Sequence, residues 1–398
     1  MEVRSMLKKS ILILLGMVLS PILFSEKAGA DEFAYVVNSL GKTLSKINLT
    51  TDQVFNNIEA LGEAPNQVVI QDDFAYVVNS LDHDIQILDL ATENTVGYIN
   101  IGEPRNPFQM AFVDSQYAYV TNFITNTISR VDVINRIVVG EYGVGQAPEG
   151  LMVVDDKLYV CCTGFQWRKY QAVTGRRWFL DPAHHKNEIK AYSYIPGKVY
   201  VFDLRNQMVV DSIGVGMNPQ YLDLDREGEL NVVCTGDYWS VFGKIYRINP
   251  TTNRVIDSIA CGGSPGMISI GTDGIGYLAA GGWYPDSGMV FTFDSYADTM
   301  ICGSQNPITT DCGVISVTAL RPSQVLTCNS DADDISRMNK NGVLIDKYLV
   351  GDGPISLAIY IPSSEIPVMD WKGIILLITL LALTGAMIRK ARFTPPQN

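Results

Sequence analysis

The chain has 398 residues, of which 47% are hydrophobic, and a formal net charge of −12 at pH 7. A chain of this length buries a large core, and its acidic balance excludes the basic surface that nucleic-acid binding requires. Its three histidines are too few for a multi-copper or haem centre. We therefore expect no nucleic-acid partner and no cofactor.

The first 30 residues have the pattern of a secretory signal peptide. A basic start at residues 4–9 precedes an apolar run, Ile11–Phe24, and small residues suited to cleavage, Ala28–Ala30. The sequence therefore predicts an exported protein whose mature chain begins at Asp31. The alternative is that the segment stays as an N-terminal membrane anchor.

An internal repeat follows. The stretch "FAYVVNSL" occurs at Phe33–Leu40 and again at Phe74–Leu81. Related segments continue along the chain, and their first letters form one column: Tyr35, Tyr76, Tyr119, Tyr159, Asn231, Tyr277 and Leu326. Prolines form a second column with the same single long interval: Pro65, Pro107, Pro148, Pro219, Pro265, Pro307 and Pro354. Two markers that agree on seven units and on one insertion indicate a repeat architecture.

Each unit reads as four short strands. After Pro65 the chain runs "NQVVIQ", "FAYVVN", "DIQILDL" and "TVGYINIG", with turn residues such as Asp82 and Asn94 between them. Four strands every 40 to 45 residues or so is the period of a β-propeller blade. The predicted fold class is all-β: a seven-bladed β-propeller of four-stranded antiparallel blades over residues 31–361.

The two ends of the repeat complement each other. The first unit starts directly with the strand Phe33–Asn38 and lacks the strand that follows a proline elsewhere. The last segment, Ile355–Ile361, is such a strand without the rest of a unit. We expect the two to pair, so that the N- and C-terminal strands close the ring and leave no unpaired edge between them.

The segments "YVVN", "YVVN" and "YVTN", with their "VxDL"-like strands and Gly-Pro turns, resemble the YVTN β-propeller repeat family. The resemblance covers Asp31 to Ile361 and is weaker in units five to seven. It implies the propeller fold and is typical of bacterial or archaeal surface proteins. Lactonases and redox enzymes also use propellers, so the fold by itself decides no function.

Two sets of loops are expected on one face of the ring: those from the second to the third strand of a blade, and those from one blade into the next. Asparagines end four of the second strands: Asn38, Asn79, Asn122 and Asn329. We interpret them as turn residues that bond their own backbone, not as ligands. No metal site is expected, because the acidic run at residues 331–334 lacks the spacing of a calcium loop.

The long interval is an insertion at about residues 165–197 in the fourth blade. It is aromatic and basic in an acidic protein, and two neighbouring loops add further aromatic residues. Aromatic side chains in loops provide flat contact area at low entropic cost. The candidate ligand-binding residues are Trp167, Arg168, Tyr170, Trp178, Tyr238, Trp239, Trp283 and Tyr284. The alternative is a lid whose aromatic residues form a small satellite core.

The sequence contains no Ser/His/Asp arrangement in a recognisable context, no haem-attachment motif and no Cys/His metal spacing. We therefore assign no catalytic residue. Seven cysteines are present. Cys302 and Cys312 flank one predicted inter-blade turn and form the best candidate disulfide of an exported protein.

The C-terminal end reads as a short hydrophobic helix. Residues 362–372 form a linker, residues 373–388 carry no charge, and residues 389–398 form a basic tail. A basic flank marks the cytoplasmic side of a membrane helix, so the propeller would lie outside.

The residues around the start of this helix resemble a bacterial C-terminal protein-sorting signal of the IPTL type. The matching residues are Ile366, Pro367, Trp371 and Gly373, followed by the basic cluster. Val368 and Met369 stand where the family has Thr-Leu, and Trp371 lies one place early. The resemblance implies a sortase-like processing enzyme, with the helix holding the protein in the membrane before any processing.

Together these features predict an exported protein of the cell envelope or cell surface that binds or scaffolds without catalysis. The expected partner is a protein or glycan of the envelope, held by the face that carries the insertion. The alternative is a propeller hydrolase of the lactonase type acting on a sugar-derived ester. Such an enzyme needs a metal or an acid/base cluster at the central pore.

Overall fold

The structure, a computed structural model, describes residues 31–171, 188–282, 286–321 and 323–362. The predicted signal peptide, the C-terminal helix, the basic tail and the sorting-motif residues Ile366, Pro367, Trp371 and Gly373 lie outside these ranges. Within them, no helix is long and apolar enough to cross a membrane.

The chain from Asp31 to Tyr360 forms one unit built of strands and turns. Its strands, in the described residues, are β1 (Phe33–Asn38), β2 (Thr43–Asn48), β3 (Gln53–Ala60), β4 (Pro65–Gln71), β5 (Phe74–Asn79), β6 (Asp84–Asp89), β7 (Asn94–Asn100), β8 (Pro107–Phe112), β9 (Tyr117–Asn122), β10 (Thr127–Asp132), β11 (Ile137–Gly143), β12 (Pro148–Val154), β13 (Lys157–Cys162), β14 (Phe165–Gln171), β15 (Glu188–Tyr194), β16 (Pro196–Asp203), β17 (Met208–Met217), β18 (Pro219–Leu224), β19 (Leu230–Cys234), β20 (Lys244–Asn249), β21 (Arg254–Ala260), β22 (Ile268–Ile270), β23 (Ile275–Ala279), β24 (Gly288–Asp294), β25 (Thr299–Cys302), β26 (Ile308–Thr310), β27 (Val314–Arg321), β28 (Gln324–Asn329), β29 (Asp334–Asn339), β30 (Leu344–Leu349) and β31 (Pro354–Tyr360).

These strands form seven antiparallel blades in chain order. Blades 2, 3, 5 and 7 each use four consecutive strands, β4–β7, β8–β11, β18–β21 and β27–β30. Blade 4 uses β12, β13, β16 and β17, and blade 6 uses β22–β25 with β26 beside β24. The first strands of neighbouring blades contact one another around the ring, so they are the inner strands. The predicted seven-bladed architecture is confirmed.

Blade 1 closes the ring as predicted. Its strand order is β3-β2-β1-β31, which places the last strand of the propeller inside the first. The antiparallel register pairs Phe33 with Tyr360 and Val37 with Ser356. Closure therefore depends on backbone hydrogen bonds between the two ends of the unit.

The repeated "AYVV" segment is apolar throughout because the second strand of a blade is buried on both faces. In β1, Ala34 and Val36 pack in the cluster between blades 7 and 1. Tyr35 and Val37 pack in the cluster between blades 1 and 2. Successive side chains of a strand point to opposite faces, so each such segment contributes to two interfaces between blades.

The turn between the third and fourth strands is fixed in the same way in each of the seven blades. A side-chain oxygen of Asn or Asp accepts hydrogen bonds from backbone N–H groups two and three or four residues further on. The residues concerned are Asn48, Asp89, Asp132, Asp203, Asn249, Asp294 and Asn339. This column is a third marker of the repeat, which the sequence analysis did not use.

The link between blades 6 and 7 differs from the prediction. Pro307 does not lead into the inner strand of blade 7, which begins at Val314. It precedes β26, which pairs with β24 and completes the outer strand of blade 6. The proline spacing was misleading because residues 303–307 interrupt that outer strand.

The predicted disulfide between Cys302 and Cys312 is not formed in the structure, where both residues are free thiols. Cys302 lies opposite Thr292, whereas Thr310 lies opposite Gly288, further along β24. At about 3.3 Å per residue, the register positions of Cys302 and Thr310 are about 13 Å apart, and Cys312 lies two residues beyond Thr310. A disulfide requires Cα atoms within about 7 Å of each other. The cysteines flank an interrupted strand and not a tight turn.

Candidate functional site

The two sets of loops lie together on one face, as predicted. In blades 1 to 5 and 7, the residue after the second strand donates its backbone N–H to the carbonyl just before the inner strand. Examples are Ser39 to Gly353 at 2.8 Å and Thr235 to Asn218 at 3.0 Å. We call the surface formed by these loops the loop face.

The asparagines at the ends of the second strands are buried and bond to side chains of the third strand. Asn122 Nδ2 donates to Thr127 Oγ1 and to Ser129 Oγ, each at 2.9 Å. The same offsets of five and seven residues recur at Asn38, Asn79 and Asn329. These amides therefore hold the hairpin through side chains of the next strand, and not through their own backbone as predicted.

In blades 4 and 5 a cysteine stands in place of the buried asparagine, so the polar contact is replaced by an apolar one. Cys162 and Cys234 occupy the asparagine position and are buried. Cys162 and Tyr200 both approach Gly145, where an added Cβ would lie 2.8 Å from Cys162 Cβ. Gly216 has the same relation to Cys234 in blade 5. Blade 4, which carries the insertion, and its neighbour blade 5 thus share a cysteine at the loop-face end of the second strand.

The insertion forms a two-stranded ribbon of β14 and β15, whose register runs from Phe165 opposite Tyr194 to Gln171 opposite Glu188. Of the predicted binding residues, Trp167, Arg168 and Tyr170 lie on β14. Trp178, Trp283 and Tyr284 lie outside the described residues. Tyr238 and Trp239 are therefore the two whose side chains the structure places.

A row of aromatic rings joins blade 3 to the base of the ribbon. Phe108 on β8 packs near Phe123 with ring centroids 6.3 Å apart. Phe123 packs near Phe165 at 5.7 Å, and Phe165 packs against Tyr194 at 5.7 Å. All four residues are half-buried. The row anchors the ribbon to the loop face and leaves aromatic edges at its surface.

The loop after β19 exposes a run of large apolar side chains. Trp239 is 59% exposed and Phe242 is 64% exposed, and Tyr238 and Val241 are exposed as well. We define residues 238–242 as the YWSVF loop. Tyr238 and Trp239 were predicted from the sequence, whereas Val241 and Phe242 were not, although four large apolar residues between Gly236 and Gly243 were a usable signal.

Asp237 holds this loop in one conformation. Its Oδ1 accepts hydrogen bonds from the backbone N–H groups of Trp239, Ser240 and Val241 at 2.7 to 2.9 Å. Burial alone would raise the pKa of Asp237, but these bonds outweigh it and hold that pKa well below its usual range. Tyr238 has a φ of 67°, which is costly for a residue other than glycine and requires such support.

A buried polar network lies beneath the YWSVF loop. Glu149, the second residue of β12, accepts a hydrogen bond on Oε2 from Gln220 Nε2 at 3.0 Å. Gln220 Oε1 accepts from Thr235 Oγ1 at 2.5 Å and from the Tyr238 hydroxyl at 3.4 Å. The inner strands of blades 4 and 5 are thus connected to the exposed loop through side chains.

Glu149 and Thr235, two polar residues of this network, are buried. Burial raises the pKa of Glu149 to about 8, and the hydrogen bond from Gln220 offsets this only in part. Asn218, just before β18, is fully buried, and its side-chain amide has no hydrogen-bond partner in the part of the chain that the structure describes. Buried polar groups are normally paired, and buried side-chain atoms without a partner among the described residues also occur in other blades, at Asn38, Asn79 and Asn122.

Glu149 was not predicted from the sequence. The signal was an acidic residue directly after a proline of the repeat, in "APEG", where blades 2, 3 and 5 carry asparagine, phenylalanine and glutamine. Among the described residues, no group of three or more His, Cys, Asp or Glu side chains could hold a metal ion.

The ring of blades and its loop face define the class of protein: a seven-bladed β-propeller. No family model matches the chain, and no curated protein matches it. Among solved structures, the Kuenenia stuttgartiensis hydrazine synthase is similar, with a TM-score of 0.56 and 13% identity over 73% of this chain and 88% of that chain. The WD40 domain of Neurospora crassa Pan2 has a TM-score of 0.49 and 11% identity over 73% of this chain and 79% of that chain. At 13% identity, the likeness to hydrazine synthase shows the fold alone.

Proposed function

We propose that the protein binds a protein or glycan of the bacterial cell envelope, without catalysis, through the loop face of blades 3 to 5. The observation that carries the proposal is the YWSVF loop, which exposes four large apolar side chains in a conformation that Asp237 holds before any partner arrives. A pre-organised surface loses little entropy on binding, so its contact area is converted into affinity efficiently. The ribbon and the aromatic row extend the same surface.

The proposed location rests on the two ends of the sequence. The signal-like residues 1–30 support export, and the "YVTN"-like repeats resemble those of surface proteins. The IPTL-like residues, the apolar residues 373–388 and the basic tail support a membrane-held form that a sortase-like enzyme processes. Mass spectrometry of the protein from native envelopes tests this: we expect Asp31 at the N-terminus, and a retained Met1 would contradict it.

The two terminal strands place the ends of the propeller next to each other. β31 begins at the loop face with Pro354 and ends opposite Phe33, the first residue of β1. The chain therefore enters and leaves the propeller on the side away from the loop face.

The test of binding replaces Trp239 and Phe242 by alanine together. We expect affinity for isolated envelopes, measured by sedimentation, to fall at least tenfold, which corresponds to about 1.4 kcal/mol. The melting temperature should change little, because exposed loop side chains contribute little to packing. Tyr296→Ala is the matched control, since Tyr296 is exposed in a turn between third and fourth strands, on the opposite face.

Two outcomes would overturn the proposal. One is unchanged envelope binding by the double variant. The other is a lowered melting temperature with normal binding by the folded fraction, as expected if these side chains only support a lid. Turnover of lactone or sugar-ester substrates by the wild type in a hydrolase screen would instead favour the lactonase-type alternative.

A further inference from the structure

Glu149 is a buried acid with no cationic partner among the described residues. It lies on the inner strand of blade 4, is almost entirely inaccessible to solvent, and forms no ion pair with any Lys, Arg or His of the described residues. Its side-chain partner is the neutral amide of Gln220. Ionised carboxylates are buried at high cost unless they are paired, so this environment favours the protonated form.

The ionisable groups around Glu149 do not supply a compensating charge. Cys161 and Cys162 on β13 and Tyr221 on β18 are close enough to interact electrostatically with Glu149. Burial raises the pKa of all three groups, so they remain neutral through the physiological range. From β9, Thr121 contacts only the Glu149 backbone, where its hydroxyl donates to the carbonyl oxygen at 2.7 Å.

One residue of a loop, Tyr238, is also connected to Glu149. Cys161 and Cys162 belong to β13, which pairs with β12 and β16, and Tyr221 belongs to β18, which pairs with β19. Tyr238, by contrast, belongs to the YWSVF loop and reaches the network through Gln220 Oε1. A charge that forms on Glu149 must gain water or rearrange its partners, and the loop is the part of this environment that is not held in a sheet.

We propose that neutral Glu149 positions the YWSVF loop through Gln220, and that ionisation of its carboxyl, with loss of the proton to solvent, displaces the loop. Glu149 is thus a positioning residue for the proposed binding surface. The inference deepens the proposed function, because it makes the exposed aromatic surface depend on the protonation of one buried group. The raised pKa of about 8 places the change within reach of ordinary buffers.

The experiment follows Trp239 fluorescence in the full chain from pH 5.5 to 9.5. The contribution of Trp239 is the difference between the wild type and Trp239→Phe. We expect a one-proton transition with a midpoint near pH 8 in this difference. Glu149→Gln keeps the size and the hydrogen bond but does not ionise, so the transition should be absent and the signal should stay at its low-pH value.

A second variant separates positioning from folding. Gln220→Leu interrupts the connection while Glu149 remains, so the Trp239 signal should resemble the high-pH form at every pH, with an unchanged far-ultraviolet circular dichroism spectrum. The same pH transition in Glu149→Gln, or no transition attributable to Trp239 in the wild type, would overturn the inference. The readout uses no ligand, so its failure is distinct from a failure of the envelope-binding test.

Discussion

Tyr35, on the first strand of the propeller, packs edge-on against Tyr360, on the last, with ring centroids 6.2 Å apart. This contact accompanies the backbone pairing of β1 and β31 and joins the two ends of a unit of more than 300 residues. The last strand also places Leu357 between blades 7 and 1 and Ile355 between blades 1 and 2. One strand therefore supports two blade interfaces.

The first prediction concerns this closure. A chain that ends at Gly353 loses β31, exposes the edge of β1 and opens two apolar interfaces, so it should not melt cooperatively. A chain that ends at Ile361 keeps the strand and is the matched control, with the melting temperature of the full-length protein. Circular dichroism melts compare the two. Equal melting temperatures would show that the ring does not depend on β31.

The second prediction concerns stability and pH. The pKa of Glu149 is about 8 in the folded chain against 4.5 as its ordinary value. The neutral form thus contributes stability that is fully present below about pH 4.5 and is lost as the pH rises through 8. The wild type should lose about 3 kcal/mol of unfolding free energy between pH 5 and pH 8 relative to Glu149→Gln. Urea unfolding of both proteins at each pH measures the difference, and a constant difference contradicts the assignment.

The third prediction concerns the preformed loop. Asp237→Ala removes the acceptor of three backbone N–H groups, so the amides of Trp239, Ser240 and Val241 should exchange hydrogen at least about tenfold faster, a loss of about 1.4 kcal/mol of local protection. Asp257→Ala, at an exposed position on β21, is the control. Mass-spectrometric exchange at one pH compares the peptides. Unchanged exchange would mean that the loop is held by other contacts.

The fourth prediction concerns the buried asparagine column. Asn122→Ala leaves the Thr127 and Ser129 hydroxyls without their donor in a closed interface, so the free energy of unfolding should fall by about 1 to 3 kcal/mol. Asn94→Ala, at an exposed strand position, should change it by less than about 0.5 kcal/mol. Chemical denaturation of both variants provides the comparison. Equal effects would show that the bonds from Asn122 to Thr127 and Ser129 do not stabilise the hairpin.

Much of the fold followed from the sequence because a propeller repeats one local pattern. The "AYVV" segment is apolar because both faces of the strand are buried, and this pattern helped to identify the second strands. The closing strand was identified because the first unit lacks its own inner strand. The same reasoning failed at Pro307, because an interruption in the outer strand of blade 6 shifts a proline onto an expected interval. The spacing of prolines along the chain does not show with which blade the following strand pairs.

The YWSVF loop was partly visible in the sequence, since aromatic residues between glycines indicate an exposed turn. The role of Asp237 and the exposure of Phe242 emerged only from the folded loop, where backbone N–H groups converge on one carboxylate.

The environment of Glu149 could not be predicted from the sequence. Its partner Gln220 is 71 residues away, across an interface between two blades. Burial, the absence of a cation among the described residues and the connection to Tyr238 all arise from how those blades pack. The sequence by itself determined the repeat, the number of blades and the closure, because these depend on patterns within one unit. Only the tertiary structure decided the environment of Glu149, because desolvation depends on what neighbouring blades bring to the same place.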